Sequence, residues 1–235
     1  PELRDNKLEW KLAEANKLDD LIELQDIKGV VHSHSHYSDG TNSLKDLAVY
    51  CKEQGFEYLV ISDHSKSAFY AQGMKEDKIT EQHEEIEKLN KQLFPFKIYK
   101  SIESDILNDG NLDYETSVLK TFDLIIASVH SQLKMPEEKA MHRLIKAIEN
   151  PFTTILGHMT GRLLLSRPGY PVNHKKIIDA CAANNVCIEL NANPYRLDID
   201  YNWINYCQEK NVLISINPDA HNLRGVHDIK YGVYA

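Results

Sequence analysis

GVVHSHSHYSDG, residues 29–40, decides how the rest of the chain is read. Gly29, Val30 and Val31 open a short apolar run that ends in His32 and His34, and Asp39 follows just beyond. In an extended segment successive side chains alternate between two faces, so His32 and His34 project to one side, as chelation of a metal ion requires. Alone, an HxH tripeptide is a weak signal. Its weight comes from recurrence. Six more short runs read as strands: YLVISDH (58–64), FKIYKSIESDIL (96–107), DLIIASVH (123–130), TILGHM (154–159), CIELNAN (187–193) and VLISINPDAH (212–221). Toward their ends they supply His64, Glu103 with Asp105, His130, His158, and Asp219 with His221.

The stretches between these runs carry helical spacing. Leu44, Leu47, Ala48 and Cys51 fall at i, i+3, i+4 and i+7, and Met141, Leu144, Ile145 and Ile148 repeat the pattern. Ile177, Ile178 and Cys181 continue it, as do Trp203, Ile204 and Cys207. Strands rich in Val and Ile that alternate with helices predict an α/β fold with a parallel sheet and right-handed crossovers. Seven such units favour a closed or nearly closed barrel, with an open, doubly wound sheet as the alternative. In a parallel barrel every strand ends at the same mouth, where such folds keep their chemistry. Side chains dispersed along the sequence therefore converge.

Burying six imidazoles and three carboxylates together without cations would strand polar groups at high cost. The reading is thus a metal site built from His32, His34, Asp39, His64, Glu103, His130, His158, Asp219 and His221. Nine ligands exceed the roughly four that zinc accepts, so two or three ions are expected, with a carboxylate bridging. Multinuclear sites of this kind suit displacement at phosphorus, which makes phosphoester hydrolysis the leading class. Zinc, manganese and iron all accept mixed His and carboxylate ligation. Asp63 and Asp105 adjoin ligands and are expected to orient them. His83, His142, His174 and His227 fall in or near helices or past the last strand and read as bystanders, while His36 is left open.

Composition narrows the partners. The 235 residues are 42% hydrophobic and 26% charged, ordinary globular usage, and no apolar run approaches membrane-spanning length. With 35 acidic against 27 basic residues the net charge is −8, which argues against a broad duplex-binding surface. Cys51, Cys181, Cys187 and Cys207 form no CxxC pair and read as free thiols of a reducing compartment, and PELRDNKLEW carries no export signal, so a cytoplasmic location is expected. The chain begins at Pro1, and a piece of something longer is expected. Residues 1–28 read as a charged lead-in and 29–235 as the barrel domain.

In order and spacing, HSHSHYSDGTNSL, ISDHSKS, IESDIL, ASVHS, LGHMTGR, NANPYRLD and NPDAH resemble the PHP domain, the polymerase and histidinol phosphatase superfamily. The variety most resembled is the C-terminal PHP domain of bacterial family X DNA polymerases, and the resemblance covers essentially the whole chain, including PELRD and LIELQDIKG of the lead-in. It implies a distorted seven-stranded (β/α)7, TIM-like barrel holding three divalent metal ions at the C-terminal ends of the strands. By motif, His32, His34, Glu103 and Asp219 would hold one ion. Glu103, His130 and His158 would hold a second, and Asp39, His64 and His221 the third. Two positions depart from the family pattern: Val30, where the family commonly has Asp, and Pro218, where it commonly has Thr.

The activity implied is that of a metal-dependent phosphoesterase, a 3′-5′ exonuclease or DNA 3′-end-processing domain that uses manganese, in which a hydroxide generated by the ions attacks a phosphodiester. Glu103, Asp39, His130 and Arg162 are the expected catalytic residues, and Lys66, Arg162 and Arg196 the expected phosphate contacts. An upstream polymerase core in the same full-length chain is the implied partner, with residues 1–28 as its linker. Two alternatives stand beside this: a small-molecule phosphatase of the histidinol type, which needs a polar clamp for the amine, and a non-catalytic scaffold stabilised by metal. Three divalent ions would take the charge from −8 to −2 and concentrate the gain at the barrel mouth. That favours engagement of a strand end over a duplex surface.

Overall fold

Seven short runs of β-branched and aliphatic residues form the sheet in a computed structural model that describes residues 9–17 and 21–235. The strands are β1 (Gly29–Ser33), β2 (Tyr58–Ile61), β3 (Lys97–Asp105), β4 (Leu124–Ser128), β5 (Ile155–Leu156), β6 (Cys187–Asn191) and β7 (Ile214–Asn217). They lie in sequence order, each parallel to its neighbour. The helices are α1 (Glu9–Glu14), α2 (Leu44–Glu53), α3 (Glu76–Gln92), α4 (Thr116–Leu119), α5 (Glu137–Ile148), α6 (His174–Asn184), α7 (Ile204–Glu209) and α8 (Ile229–Tyr234). Of the lead-in, α1 and a single turn of 3-10 helix at Leu24–Asp26 are described, while residues 1–8 and 18–20 lie outside the described residues.

The sheet's two edges meet beside the mouth. Ser33 bridges Ala220 in parallel. The His34 N–H donates to the Ala220 carbonyl at 2.8 Å, and the Ala220 N–H to the His32 carbonyl at 3.2 Å. This seam makes a nearly closed barrel and sets aside the open sheet. The seam is irregular where the chemistry sits. His32 has φ 63° and Asp219 φ 51°, left-handed values uncommon for residues with a side chain. The β1–β2 register shifts between Val30 and Ser33. His32 and His34 therefore reach a common centre through a kinked strand end, not the regular alternation their spacing predicts.

The helices bury the faces their periodicity indicates. Leu44, Leu47, Ala48 and Cys51 of α2 pack with Val30, Leu59, Ile61 and Ile98 in one apolar cluster. Leu144 and Ile148 of α5 join Ile177, Ile178 and Cys181 of α6 in a second, larger one. α2 starts where the Ser43 side chain accepts from the Asp46 N–H at 3.0 Å, a capping bond that satisfies an otherwise free helix donor. Gly157, one residue before His158, allows β5 to approach β4, since a Cβ there would lie 2.2 Å from Ser128 Oγ. All four cysteines are free. Among the described residues no helix is long and apolar enough to cross a membrane.

Candidate metal centre

The strand ends deliver all nine expected side chains to one place, and Glu103 of β3 is its hub. Glu103 Oε1 lies 2.9 Å from His158 Nε2, 3.1 Å from His130 Nε2 and 3.3 Å from His32 Nε2. Its Oε2 lies 3.1 Å from His64 Nδ1 and 3.7 Å from His34 Nε2. Five imidazoles thus converge on one carboxylate that is 1% exposed. Asp219 Oδ1 stands 3.1 Å from His34 Nε2 and 3.6 Å from His32 Nε2. Asp39 Oδ2 stands 3.4 Å from His221 Nε2 and 3.7 Å from His64 Nε2.

Four sets of donor atoms lie within 4.8 Å of one another: His34, Asp39, His64 and His221; His32, His34 and Asp219; His32, Glu103 and His158; and His64, Asp105 and His130. The first two match the sets implied by motif closely. In the others, His32 stands with Glu103 and His158, while His130 falls with His64 and Asp105, because Asp105 accepts the His130 Nδ1 proton at 2.5 Å.

The ring nitrogens show that cations fit this donor set. His32 Nδ1 donates to Glu189 at 2.5 Å, and His221 Nδ1 donates to the Asp219 carbonyl at 3.0 Å. With an ion bound, these two rings and His130, held by Asp105, would each keep one proton on Nδ1 and offer Nε2 to the cluster, as in carboxylate–histidine–metal chains. His32 Nε2, His34 Nδ1, His64 Nδ1 and His158 Nδ1 are buried without a hydrogen-bond partner. Several unpaired buried nitrogens beside acceptor-only carboxylates are costly alone and are relieved by divalent ions.

The electrostatics of the metal-free cluster agree. Burial opposes ionisation of Glu103, yet the rings of His130, His32 and His64 outweigh it and hold the carboxyl well below its usual range. Asp39 behaves likewise: burial raises its pKa, but the His221 hydrogen bond and the rings of His34 and His64 bring it to about 2. Burial also opposes the charged form of His130, and Glu103 and Asp105 overcome it to lift the pKa to about 10. For His64 burial prevails, and the pKa falls to about 3.

One residue central to the site escapes a reading of strand ends. Glu189, in the middle of β6, is fully buried. Its Oε2 accepts from His32 Nδ1 and from Asn217 Nδ2 at 2.8 Å. Its Oε1 accepts from the His158 N–H and from Asn191 Nδ2, both at 3.0 Å. A glutamate between Ile188 and Leu190 in a buried strand was the available signal, since such a charge persists only when paired. Val30 lies in the apolar cluster under α2, so the buried carboxylate that serves His32 comes from β6 instead. Glu189→Gln keeps the volume and removes the charge that orients His32. Metal affinity should fall about 10- to 100-fold, read by titrating the metal-free variant. An unchanged affinity would show that His32 needs no such partner.

Asp63 plays a different part from the one expected. It accepts from the Ser35 and Ser38 N–H groups, both their hydroxyls, and Gln82 Nε2, all between 2.6 and 3.1 Å. It therefore shapes the loop leading to Asp39 and touches no imidazole by hydrogen bond. His83 packs against Phe122, His174 stacks on Trp203, and His227 bonds the Tyr50 hydroxyl. His36 is exposed against Tyr37. None of these joins a ligand set.

The three expected phosphate contacts separate. Arg196 stands at the cluster, its Nε 3.5 Å from Asp219 Oδ2. Arg162 instead braces the 196–200 loop, donating to the Arg196 carbonyl at 2.9 Å, to Asp200 at 2.7 Å and to the Leu197 carbonyl. Lys66 pairs with Glu76 at 2.8 Å. Both are taken by partners that sequence spacing could not reveal. Arg143, fully buried on α5, donates to the carbonyls of Ile106, Leu107 and Ser131, and so ties together the segments that follow Asp105 and His130.

The family model described as PHP domain matches residues 31–193. The "DNA polymerase/3'-5' exonuclease PolX" of Bacillus subtilis (strain 168) is 41% identical over 216 residues, 92% of this chain and 38% of that protein. A protein named "Probable phosphatase" from Thermoanaerobacter sp. (strain X514) is 30% identical over 53% of each chain. The solved histidinol phosphate phosphatase of Lactococcus lactis subsp. lactis, complexed with zinc, L-histidinol and phosphate, superposes with a TM-score of 0.66 at 15% identity, covering 88% of this chain and 92% of that one. The chain thus spans about two fifths of its Bacillus relative and about half of the Thermoanaerobacter one.

Proposed function

The chain belongs to the PHP domain family, and from that premise we propose that it hydrolyses phosphodiesters at DNA 3′ ends as a 3′-5′ exonuclease or end-processing domain. Metal-dependent phosphoester hydrolysis is the chemistry of the family. The observation that carries it here is the convergence of five imidazoles on the buried Glu103 carboxylate. The finer reading draws support from the exonuclease relative, which matches 92% of the chain at 41% identity.

Three divalent ions, manganese or zinc with iron as a further choice, would be held by His32, His34, Glu103 and Asp219; by Glu103, His130 and His158; and by Asp39, His64 and His221. When bound, such ions supply a nucleophilic water at neutral pH and charge to balance the phosphoryl oxygens. The protein's own part is to hold geometry. Glu103 would serve two of these sets, and Asp105 and Glu189 keep the outward protons of His130 and His32 in place. Arg196 offers a guanidinium beside Asp219, where a phosphate oxygen can meet it. Arg162 then acts by holding the loop that carries Arg196. The upstream partner proposed is a polymerase core joined through residues 1–28, where Leu21, Ile22 and Leu24 are each 48% exposed. The free thiols fit a reducing, cytoplasmic setting.

The histidinol-type alternative requires the same ions, so substrate decides. With Mn²⁺ present, the chain should release mononucleotides from a DNA 3′ end and leave histidinol phosphate intact. Turnover of histidinol phosphate without nucleotide release would overturn the nuclease reading in favour of the small-molecule one. No hydrolysis of either would favour the scaffold.

A further inference from the structure

Beside the ligands, the barrel mouth carries apolar surface turned to solvent. Phe69 and Tyr70 follow β2, Leu165 follows β5, and Tyr195 follows β6. A cleft of about 380 Å³ lies against Asp219 and His221, with Tyr195, Arg196, Leu164 and Ser166 among its walls. The Tyr195 backbone is pinned: its N–H donates to Asn193 Oδ1 at 3.0 Å and its carbonyl accepts from the Leu164 N–H at 2.6 Å. Its ring is nonetheless 71% exposed. The ring shares the cleft wall with Arg196 and His221. Across the mouth, Tyr70 lies edge-on to His64 with ring centres 5.9 Å apart.

Resting on the phosphodiesterase reading, we propose that this cleft binds the terminal nucleotide of the strand, its base stacked on Tyr195 and its phosphate between Arg196 and the ligand cluster. Three observations select a nucleotide. A net charge of −8 leaves little cationic surface to grip a backbone, so the end must be held by stacking, which any base can provide. The one carboxylate on the cleft wall, Asp219, is committed to His34 and to Asn191 Nδ2, which gives a cationic amine no free partner. The volume suits a single small ligand and excludes a duplex.

The test compares a nucleotide with its base-free sugar phosphate. Calorimetric titration of the metal-loaded chain should show dAMP binding about 10-fold or more tightly than 2-deoxyribose 5-phosphate. Tyr195→Ala should bring the two within about 2-fold of each other, whereas Tyr195→Phe should keep the preference, because stacking needs the ring and not the hydroxyl. Equal binding by the parent chain, or a preference that survives Tyr195→Ala, overturns the proposal even where nucleotide release persists. Failure to release nucleotides with any metal overturns the phosphodiesterase reading instead, and the calorimetric ratio still decides the cleft.

Discussion

Glu103→Gln should cut phosphoester hydrolysis by about 100- to 1,000-fold, the scale on which enzymes lose rate when one preorganised electrostatic group is removed. The side chain keeps its volume and loses its charge. An amide can ligate through one oxygen only and turns N–H donors toward rings that themselves need acceptors or cations. In the parent chain both oxygens are used: Oε1 faces His32, His130 and His158, and Oε2 faces His34 and His64. Five imidazoles face this carboxylate, so the variant should also retain less metal, measurable by elemental analysis of the purified protein. Melting temperature supplies the control for folding. A variant that keeps its full metal content and hydrolyses within about 10-fold of the parent would remove Glu103 from the centre of the reaction.

The candidate ligand set was legible because it obeys a local rule. An apolar run that stops at a histidine or acid looks the same whatever its partners are, so His64, His130 and His158 could each be read from about seven residues of context. Convergence followed from parallel strands sharing one mouth. What stayed hidden depends on contacts between distant parts of the chain. Glu189 acts on His32, 157 positions away, and its place in mid-strand broke the rule that located the others. Arg162 and Lys66 follow ligands directly, which made them plausible phosphate contacts. Their real partners lie at 196–200 and at Glu76, and only the folded loops bring them within reach.

The strands themselves are shorter than the apolar runs for a related reason. β4 stops at Ser128 and β5 at Leu156, each two residues before its histidine. Freed from the ladder, His130 and His158 can turn toward the centre, whereas Glu103 reaches it while still paired opposite Ile126 in β3. The left-handed φ values of His32 and Asp219 show the same requirement at the seam. Periodicity reports the regular part of a strand, which holds Glu103 and Glu189, while His130 and His158 stand just beyond it.

Stripping the metal should stop hydrolysis altogether, with Mn²⁺ restoring it best, and should change how stability depends on pH. In the metal-free chain His130 and His221 have pKa values near 10 and 9, against an ordinary 6.5, because after the opposing effect of burial the facing carboxylates prevail. A pKa raised on folding stabilises fully below the unfolded value and ceases to as pH climbs through the folded one. The metal-free chain should therefore lose melting temperature between pH 6.5 and 10. Asp39, lowered to about 2 from 3.8, adds stability above its unfolded value that is lost only as pH falls toward 2. Ions reverse the alkaline trend, since they compete with protons for the same nitrogens and bind more tightly as those protons leave. The gap in melting temperature between loaded and stripped protein should accordingly widen from pH 6.5 to 9.5. Parallel curves would place the ions somewhere other than this cluster, and hydrolysis by protein shown to be free of metal would rule out the ions as its source.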